Sequence, residues 1–462
     1  MFVCKRCSKL SMEYLGQCPK CKGWNTYKEV SQEELQAKAE AVRKPGQNDE
    51  SRAIPITEVE ITNLQRMSTD MSEFDRVLGG EAPVTGIVLP SLQLLAGDPG
   101  IGKSTLLVKC GGNIARTKGN VLYVTGEEDK SAVTARAMRV DAMHPNLHLM
   151  ATYHIEYVEA EVARLEPWLL IVDSTQTMKM PDIDSDLGSE RQVKGLAHFL
   201  RRLVNDKERA HTMSALLVGH VTKDGQAAGP KTLEHLVDAT LYFEGDKERS
   251  LRTLRADKNR FNSTSDIGMM EMTQAGLQDI TSPSNHLLAQ RLTGAAGSVV
   301  IAACNGGMNS RRSVLVEVQV LIGNKELPRR QLNVTGLSIP RVALMCGVLA
   351  RKTQVELEPC ELFAGTVGGL AIEERAADLG VAVAIASAVE ERPVHDDVVV
   401  FGEVGMMGEV RDVVQVIPRL KEAASLGFKR AIVPPLRELE SIEGIELVRV
   451  STLSQAIEAA LV

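Results

Sequence analysis

Aromatic side chains are scarce in this chain, with two Trp, six Tyr and eight Phe among 462 residues. So few flat apolar faces exclude an extended platform for stacking bases. Positive charge is not in excess either. A formal net charge of -7 excludes a uniformly basic coat, so any hold on nucleic acid must come from local patches or from basic residues gathered inside an oligomer. Long hydrophobic runs are also missing. The longest, residues 381–389, is stopped by Glu390-Glu391-Arg392, well short of the roughly 20 apolar residues that span a bilayer as a helix. No membrane partner is expected. The opening Met1-Phe2-Val3-Cys4-Lys5-Arg6 lacks an apolar signal region, and the expected location is cytoplasmic, where thiols stay reduced.

What is present begins with a phosphate-binding pattern. Gly97-Asp98-Pro99-Gly100-Ile101-Gly102-Lys103-Ser104-Thr105 fits G-x-x-x-x-G-K-[ST] without mismatch. Before it, Leu92-Gln93-Leu94-Leu95-Ala96 reads as a buried strand, and Leu106-Leu107-Val108-Lys109-Cys110 after it can open a helix. The glycines let backbone N–H groups turn inward around the phosphates of ATP, and the helix N-terminus adds partial positive charge. In this arrangement Lys103 reaches the terminal phosphates and Ser104 holds Mg²⁺.

Cysteines gather at the start of the chain. Cys4-x2-Cys7 and Cys18-x2-Cys21 are two knuckles whose four thiolates suit tetrahedral Zn²⁺ in a closed site, and metal binding then supplies the folding free energy of so short a segment. Trp24 and Tyr27 follow, to pack on the knuckles or to stack on a base, with packing preferred. Cys110, Cys304, Cys346 and Cys360 stand singly among apolar neighbours as buried small hydrophobes.

A length of 462 residues suits about three domains. Residues 1–30 form the zinc module, and residues 31–53, rich in Glu, Gln, Lys and Ala, a polar helix and linker. Residues 54–282 alternate short apolar strands with helical stretches, as a mostly parallel α/β sheet does. Ligands gather at the carboxyl ends of such strands. Val121-Leu122-Tyr123-Val124-Thr125 ends at Gly126-Glu127-Glu128-Asp129, and Trp168-Leu169-Leu170-Ile171-Val172 at Asp173-Ser174. Asp173 is placed to hold Mg²⁺ and Glu127, in preference to Glu128, to orient or deprotonate the attacking water. A third strand ends at His220, which either senses the γ-phosphate or is a satisfied strand-end histidine. Residues 225–229 have the makings of a loop. Residues 241–244 and 252–256 read as a hairpin leading to Lys258-Asn259-Arg260-Phe261-Asn262, where two cations two apart on a strand can aim at one anion.

In this order the four cysteines, the phosphate loop, Val-Leu-Tyr-Val-Thr-Gly-Glu-Glu, Val-Asp-Ser-Thr-Gln-Thr, Val-Gly-His-Val-Thr-Lys and Lys-Asn-Arg-Phe resemble the RadA family, also called Sms, of bacterial DNA repair ATPases. The resemblance implies a RecA-like P-loop core, assembly as a homo-hexameric ring, and binding of single-stranded and branched DNA. It also implies a recombinase partner and processing of recombination intermediates. For Lys258 and Arg260 it implies a finger toward a neighbouring subunit's γ-phosphate, tied to DNA handling. Two positions depart from the pattern: Asn262 stands where the family has Gly, and Asp129 where it has Ser. A left-handed backbone at residue 262 would be tolerated by Asn better than by other side chains.

Residues 283–462 resemble the peptidase domain of Lon, an α+β fold, through Phe401-Gly402-Glu403-Val404-Gly405 and Arg430-Ala431-Ile432-Val433-Pro434. Lon chemistry needs a Ser nucleophile and a Lys base. Ala376 stands where the Ser would be and Ile417 or Pro418 where the Lys would be, so a non-proteolytic scaffold is expected. Arg311-Arg312, Arg329-Arg330, Arg341, Arg351 and Lys352 either line a channel for a phosphate backbone or are solubilising surface residues. Two other classes of function stay open: a Lon-like ATP-dependent peptidase, and a regulatory ATPase that binds partners and not DNA.

Overall fold

The computed structural model describes residues 2–5, 10–11, 16–19, 21–29, 55–58, 64–81, 84–206, 208–220, 233–245, 250–264, 266–304, 313–324, 329–436 and 441–462. The expected linker helix, the loop at 225–229, Cys7 and the pair Arg311-Arg312 lie outside the described residues. The chain divides into two units, residues 1–63 and 64–462.

In the first unit β1 (Phe2–Cys4) pairs antiparallel with both β2 (Leu10–Ser11) and β3 (Tyr27–Glu29). Among the described residues its small core is Cys4, Cys18 and Tyr27. Three such side chains bury too little apolar surface to hold a fold unaided.

In the second unit, helix α1 (Ser72–Leu78) precedes β4 (Leu92–Gly97), whose six residues are all buried. That unbroken burial marks a central parallel strand covered on both faces. Then follow α2 (Lys103–Thr117), β5 (Val121–Thr125), α3 (Lys130–Arg139), β6 (Leu147–Ala151), α4 (Ile155–Leu165), β7 (Leu169–Asp173), α5 (Glu190–Val204) and β8 (Ser214–His220). Strands β9 (Ala239–Glu244), β10 (Leu251–Asn259), β11 (Ile267–Thr273) and β12 (Gly276–Asp279) complete a nine-stranded sheet of order β6-β5-β7-β8-β4-β9-β10-β11-β12. The first six pair in parallel and the last three antiparallel. The α/β expectation holds, and so does the hairpin.

Helices cover both faces. On α5, Val193, Leu196, Leu200 and Leu203 recur at helical spacing and are buried, while Ser189 caps the start and Arg201 and Arg202 occupy the last turn. Each buried Leu contributes about 1.5–3 kcal/mol over leaving it in water. Because β4, β5, β7 and β8 pair in parallel, their carboxyl ends lie together at one rim.

A second, seven-stranded sheet begins at β13 (Ser298–Ala303) and β14 (Val314–Ile322). It continues through β15 (Gln331–Thr335), α6 (Ile339–Lys352), β16 (Glu361–Thr366), α7 (Asp378–Glu390), β17 (Val398–Val400), α8 (Val416–Ser425), β18 (Arg430–Val433), β19 (Glu446–Arg449) and α9 (Leu453–Ala460). The strand order is β15-β16-β14-β13-β17-β18-β19. The apolar run at 381–389 forms most of α7, which packs on α6, α9, β13 and β14 as a core helix. No described helix is long and apolar enough to cross a membrane. The four scattered cysteines are buried, as expected.

Candidate functional site

The phosphate loop joins β4 to α2. Gly102 caps α2 with φ 115°, a backbone conformation that residues with a side chain rarely adopt, which is why glycine stands there. With no side chain capping the helix, its first-turn N–H groups remain for a phosphate. Lys103 is buried at the mouth of the loop and donates to Gly97 O at 2.8 Å and Asp98 O at 2.9 Å. Its third contact is His220 Nδ1 at 3.2 Å.

That contact fixes the histidine. An ammonium only donates, so Nδ1 accepts and the ring proton sits on Nε2, which donates to Glu127 Oε1 at 3.1 Å. Ser174 Oγ donates to the same carboxylate oxygen. The hydrogen bond from His220, aided by Ser174 and by the charge of Lys103, holds the Glu127 carboxyl down to about 2 against the opposing effect of burial. So strongly acidic a carboxylate orients water well and deprotonates it poorly. Glu128 points elsewhere, in a bidentate pair with Arg136 at 2.6 and 2.8 Å.

Asp173 is buried at the end of β7 and accepts from Tyr123 Oη at 2.6 Å, whose phenol is pushed well up by burial and by the aspartate charge. Ser104 follows Lys103 in the first turn of α2, half-buried, and Thr105 is buried. The site thus combines a cradle of N–H groups, one ammonium and carboxylates at neighbouring strand ends, a donor set that suits a nucleotide triphosphate with Mg²⁺.

Lys258 and Arg260 do not join this loop within the chain. Lys258 donates to Glu234 O at 2.5 Å and Val237 O at 2.8 Å, and burial followed by the charge of Arg260 lowers its ammonium below the usual range. Arg260 reaches Asp238 Oδ1 at 3.2 Å. The same carboxylate accepts from Arg201 at 2.8 Å and from Leu92 N at 3.0 Å. The two cations therefore converge, as alternate strand positions should, on residues 234–238.

In the first unit, Cys4, Cys18 and Cys21 bring their sulfurs within 4.8 Å of one another, with Cys4 and Cys21 at 3.6 Å. Tetrahedral zinc at its usual bond length sets sulfurs about 3.8 Å apart, so the group fits. Tyr27 is buried and its hydroxyl meets Cys18 Sγ at 3.7 Å. Trp24 breaks the packing expectation, being 71% exposed.

Three family models match: a rubredoxin metal binding domain over residues 2–29, an AAA domain over 82–226, and subunit ChlI of Mg-chelatase over 351–436. Among curated relatives, the DNA repair protein RadA of Streptococcus pyogenes is 39% identical over 461 residues, covering 99% of this chain and 98% of the relative. The RadA proteins of Bacillus subtilis and Listeria monocytogenes are 37% and 36% identical over 462 residues, again with 98% of each relative covered. The chain belongs to the RadA family. It is an ATP-hydrolysing enzyme with a RecA-like core, an N-terminal zinc ribbon and a Lon-like C-terminal fold.

Both departures from the RadA pattern have a structural account. Asn262 is not left-handed, contrary to the expectation. Its side chain instead lies over Gly79, where a Cβ would sit 2.1 Å from Asn262 Nδ2. The surrounding motif is fastened to the end of α1 by Asn259 Nδ2 on Leu78 O at 3.1 Å and by Arg66 on Phe261 O at 3.2 Å. Asp129 caps α3 by accepting from Ala132 N at 2.8 Å, a role Ser also performs.

The Lon-like part of this chain shares a cleft of about 790 Å³ with the β9–β10 hairpin. Ala376 lines it together with Arg255, Arg375 and Arg419, the last one residue beyond the expected position of the base. Arg419 is fully buried and doubly bonded to Glu374 at 2.8 and 2.6 Å. A guanidinium cannot serve as a base. Of the basic residues weighed for a channel, Arg341 pairs with Asp378 at 3.0 Å and Arg330 donates to Leu357 O at 3.1 Å. Arg329, Arg351 and Lys352 are exposed.

Tyr123, Ser174, Arg201 and Asp238 were not singled out from the sequence. Ser174 and Tyr123 flank the motif acids and could have been. Arg201 and Asp238 carry no local signal.

Proposed function

We propose that this enzyme is a DNA-dependent ATPase of DNA repair, working as a homo-hexameric ring that binds single-stranded DNA and moves recombination intermediates. One observation carries the reading. His220 is bonded to both Lys103 and Glu127, so the lysine of the phosphate loop and the acid at the neighbouring strand end are joined through one side chain. A γ-phosphate accepting from Lys103 replaces one of its present partners, and that exchange is felt at the residues that orient water. Lys258 and Arg260 rest on residues 234–238 through hydrogen bonds that a neighbouring subunit's phosphate can replace. Partners that exchange on ligand binding support a site whose turnover is tied to movement between subunits. The relatives named for DNA repair support the same reading.

Catalytic roles follow from the geometry. Lys103 steadies the terminal phosphates, Glu127 orients water, and Ser104 with Asp173 holds Mg²⁺, which would neutralise charge on the phosphates. Lys258 and Arg260 act in trans. Cys4, Cys7, Cys18 and Cys21 hold Zn²⁺ as a structural ion. Ala376 and the closed Arg419–Glu374 pair favour a non-proteolytic second domain that serves the ring. ATP turnover measured with and without single-stranded oligonucleotide tests the reading: stimulation is expected, and equal rates together with no retention of the strand at low salt would overturn it.

A further inference from the structure

Among its described residues the zinc ribbon exposes one aromatic ring, in a chain that has few. Trp24 is 71% exposed, yet the turn that carries it is tightly held. Cys18 N donates to Gly23 O at 2.9 Å, Lys22 N to Cys18 O at 2.8 Å, and Asn25 N to Gly16 O at 2.8 Å. Gln17 bridges to Trp24 and also donates its amide to Lys22 O at 3.0 Å. Lys22 and Asn25 both take positive φ, at 55° and 53°, which sharpens the turn on either side of the indole. A rigid backbone frame around a ring left in water is the arrangement of a binding residue, since only the two side-chain torsions of the indole remain to be ordered when a partner arrives.

Charge identifies the partner. The first thirty residues carry Lys5, Arg6, Lys9, Lys20, Lys22 and Lys28 against two acids, in a chain whose net charge is -7. Lys5, Lys22 and Lys28 are exposed. Among the described residues Phe363 is exposed alone, and Tyr153 and Tyr157, around His154, stand beside exposed Glu156 and Glu159 and lack this complementarity to phosphate.

We propose that Trp24 is a stacking platform for one unpaired nucleobase of single-stranded nucleic acid, with the ribbon lysines on the flanking phosphates. The inference rests on the DNA-binding reading above and adds a site to it. The chain's second tryptophan, Trp168, stacks on His211 at 4.0 Å in the other unit, so Trp168→Phe leaves Trp24 as the sole indole, excited selectively at the red edge beyond tyrosine absorption.

The test titrates full-length Trp168→Phe protein, zinc-loaded, with dye-labelled oligo(dT), following indole emission and dye anisotropy together. Quenching that saturates along with the anisotropy is expected. Trp24→Ala should weaken binding about five- to a hundredfold with zinc content unchanged, and Trp24→Phe should weaken it less. If anisotropy reports binding while emission stays constant, the stacking assignment falls and the DNA reading stands. Wild-type affinity in Trp24→Ala has the same consequence. If the parent protein leaves anisotropy unchanged at low salt, the DNA reading fails and this inference with it. Should Trp24→Ala lose zinc, the emission measurement alone decides.

Discussion

The two sheets of the larger unit each end in a charged cluster, and the clusters are built in opposite ways. At the rim of the first sheet, Lys103, His220 and Glu127 are linked by single hydrogen bonds that can be exchanged one at a time. At the second, Arg419 and Glu374 are joined by two hydrogen bonds and sealed from water on the arginine side, with Ala302 O and Val414 O accepting from two further guanidinium N–H groups. Exchangeable partners suit a site that must accept a ligand. A closed pair suits a site that must only keep its shape. The same chain thus shows what separates a working rim from a structural one: whether each donor has an alternative to its present partner.

The largest expected effect tests the working rim. Lys103→Ala should cut ATP turnover by at least about a hundredfold while leaving the thermal unfolding transition in place, because its contacts matter most when charge builds on the phosphates. Normal turnover in that variant would remove the distinction between the rims. The converse belongs to the second sheet. Arg419→Met should destabilise the protein by about 2–4 kcal/mol in denaturant unfolding, since it strands the half-buried Glu374 carboxylate, and adding Glu374→Leu should recover most of that loss. Recovery would mark the pair as structural; failure to recover would mean that the cleft needs the charges.

Acid titration sharpens the contrast further. Glu127 is held down to about 2, so its stabilising contribution is complete above the ordinary carboxylate range and is lost as pH falls toward 2. Asp378, paired with Arg341 on α6, is pushed up by burial to about 6. Its native form takes up a proton that the unfolded form does not, so its contribution falls as pH rises from about 4 through about 6. Unfolding free energies measured from pH 4 to 7 should therefore lose a downward slope in Asp378→Asn and keep it in Glu127→Gln. A small effect closes the series: Asp129→Ala, which removes the cap of α3, should cost about 1 kcal/mol by the same measurement, and Asp129→Ser much less.

Legibility in the sequence followed the range of each interaction. The phosphate loop could be read because one strand, one turn and one helix start supply all its parts within nine residues. The choice of Glu127 over Glu128 could be made but not justified, for the reason lies in Arg136 on the next helix, which takes Glu128 away. The convergence of Lys258 and Arg260 could be foreseen from strand alternation, whereas their target at residues 234–238 could not. Asn262 was read as a backbone problem and is a packing one, its side chain occupying the space that Gly79 leaves open. Trp24 and Tyr27 looked alike three residues apart; only the folded ribbon buries one and displays the other.

Sequence alone determined the chemistry available to this protein: a loop for phosphates, thiols for a metal, acids at strand ends, and no serine at residue 376. Those are local properties, set by residue type and spacing along a few turns of chain. Tertiary structure decided which groups hold one another. His220 meets Lys103 across 117 positions and Arg419 meets Ala302 across the same separation, and each bond exists only because sheet and helix packing bring distant backbone together. A hydrogen bond needs its atoms within about 3 Å, and no pattern of spacing reports that distance.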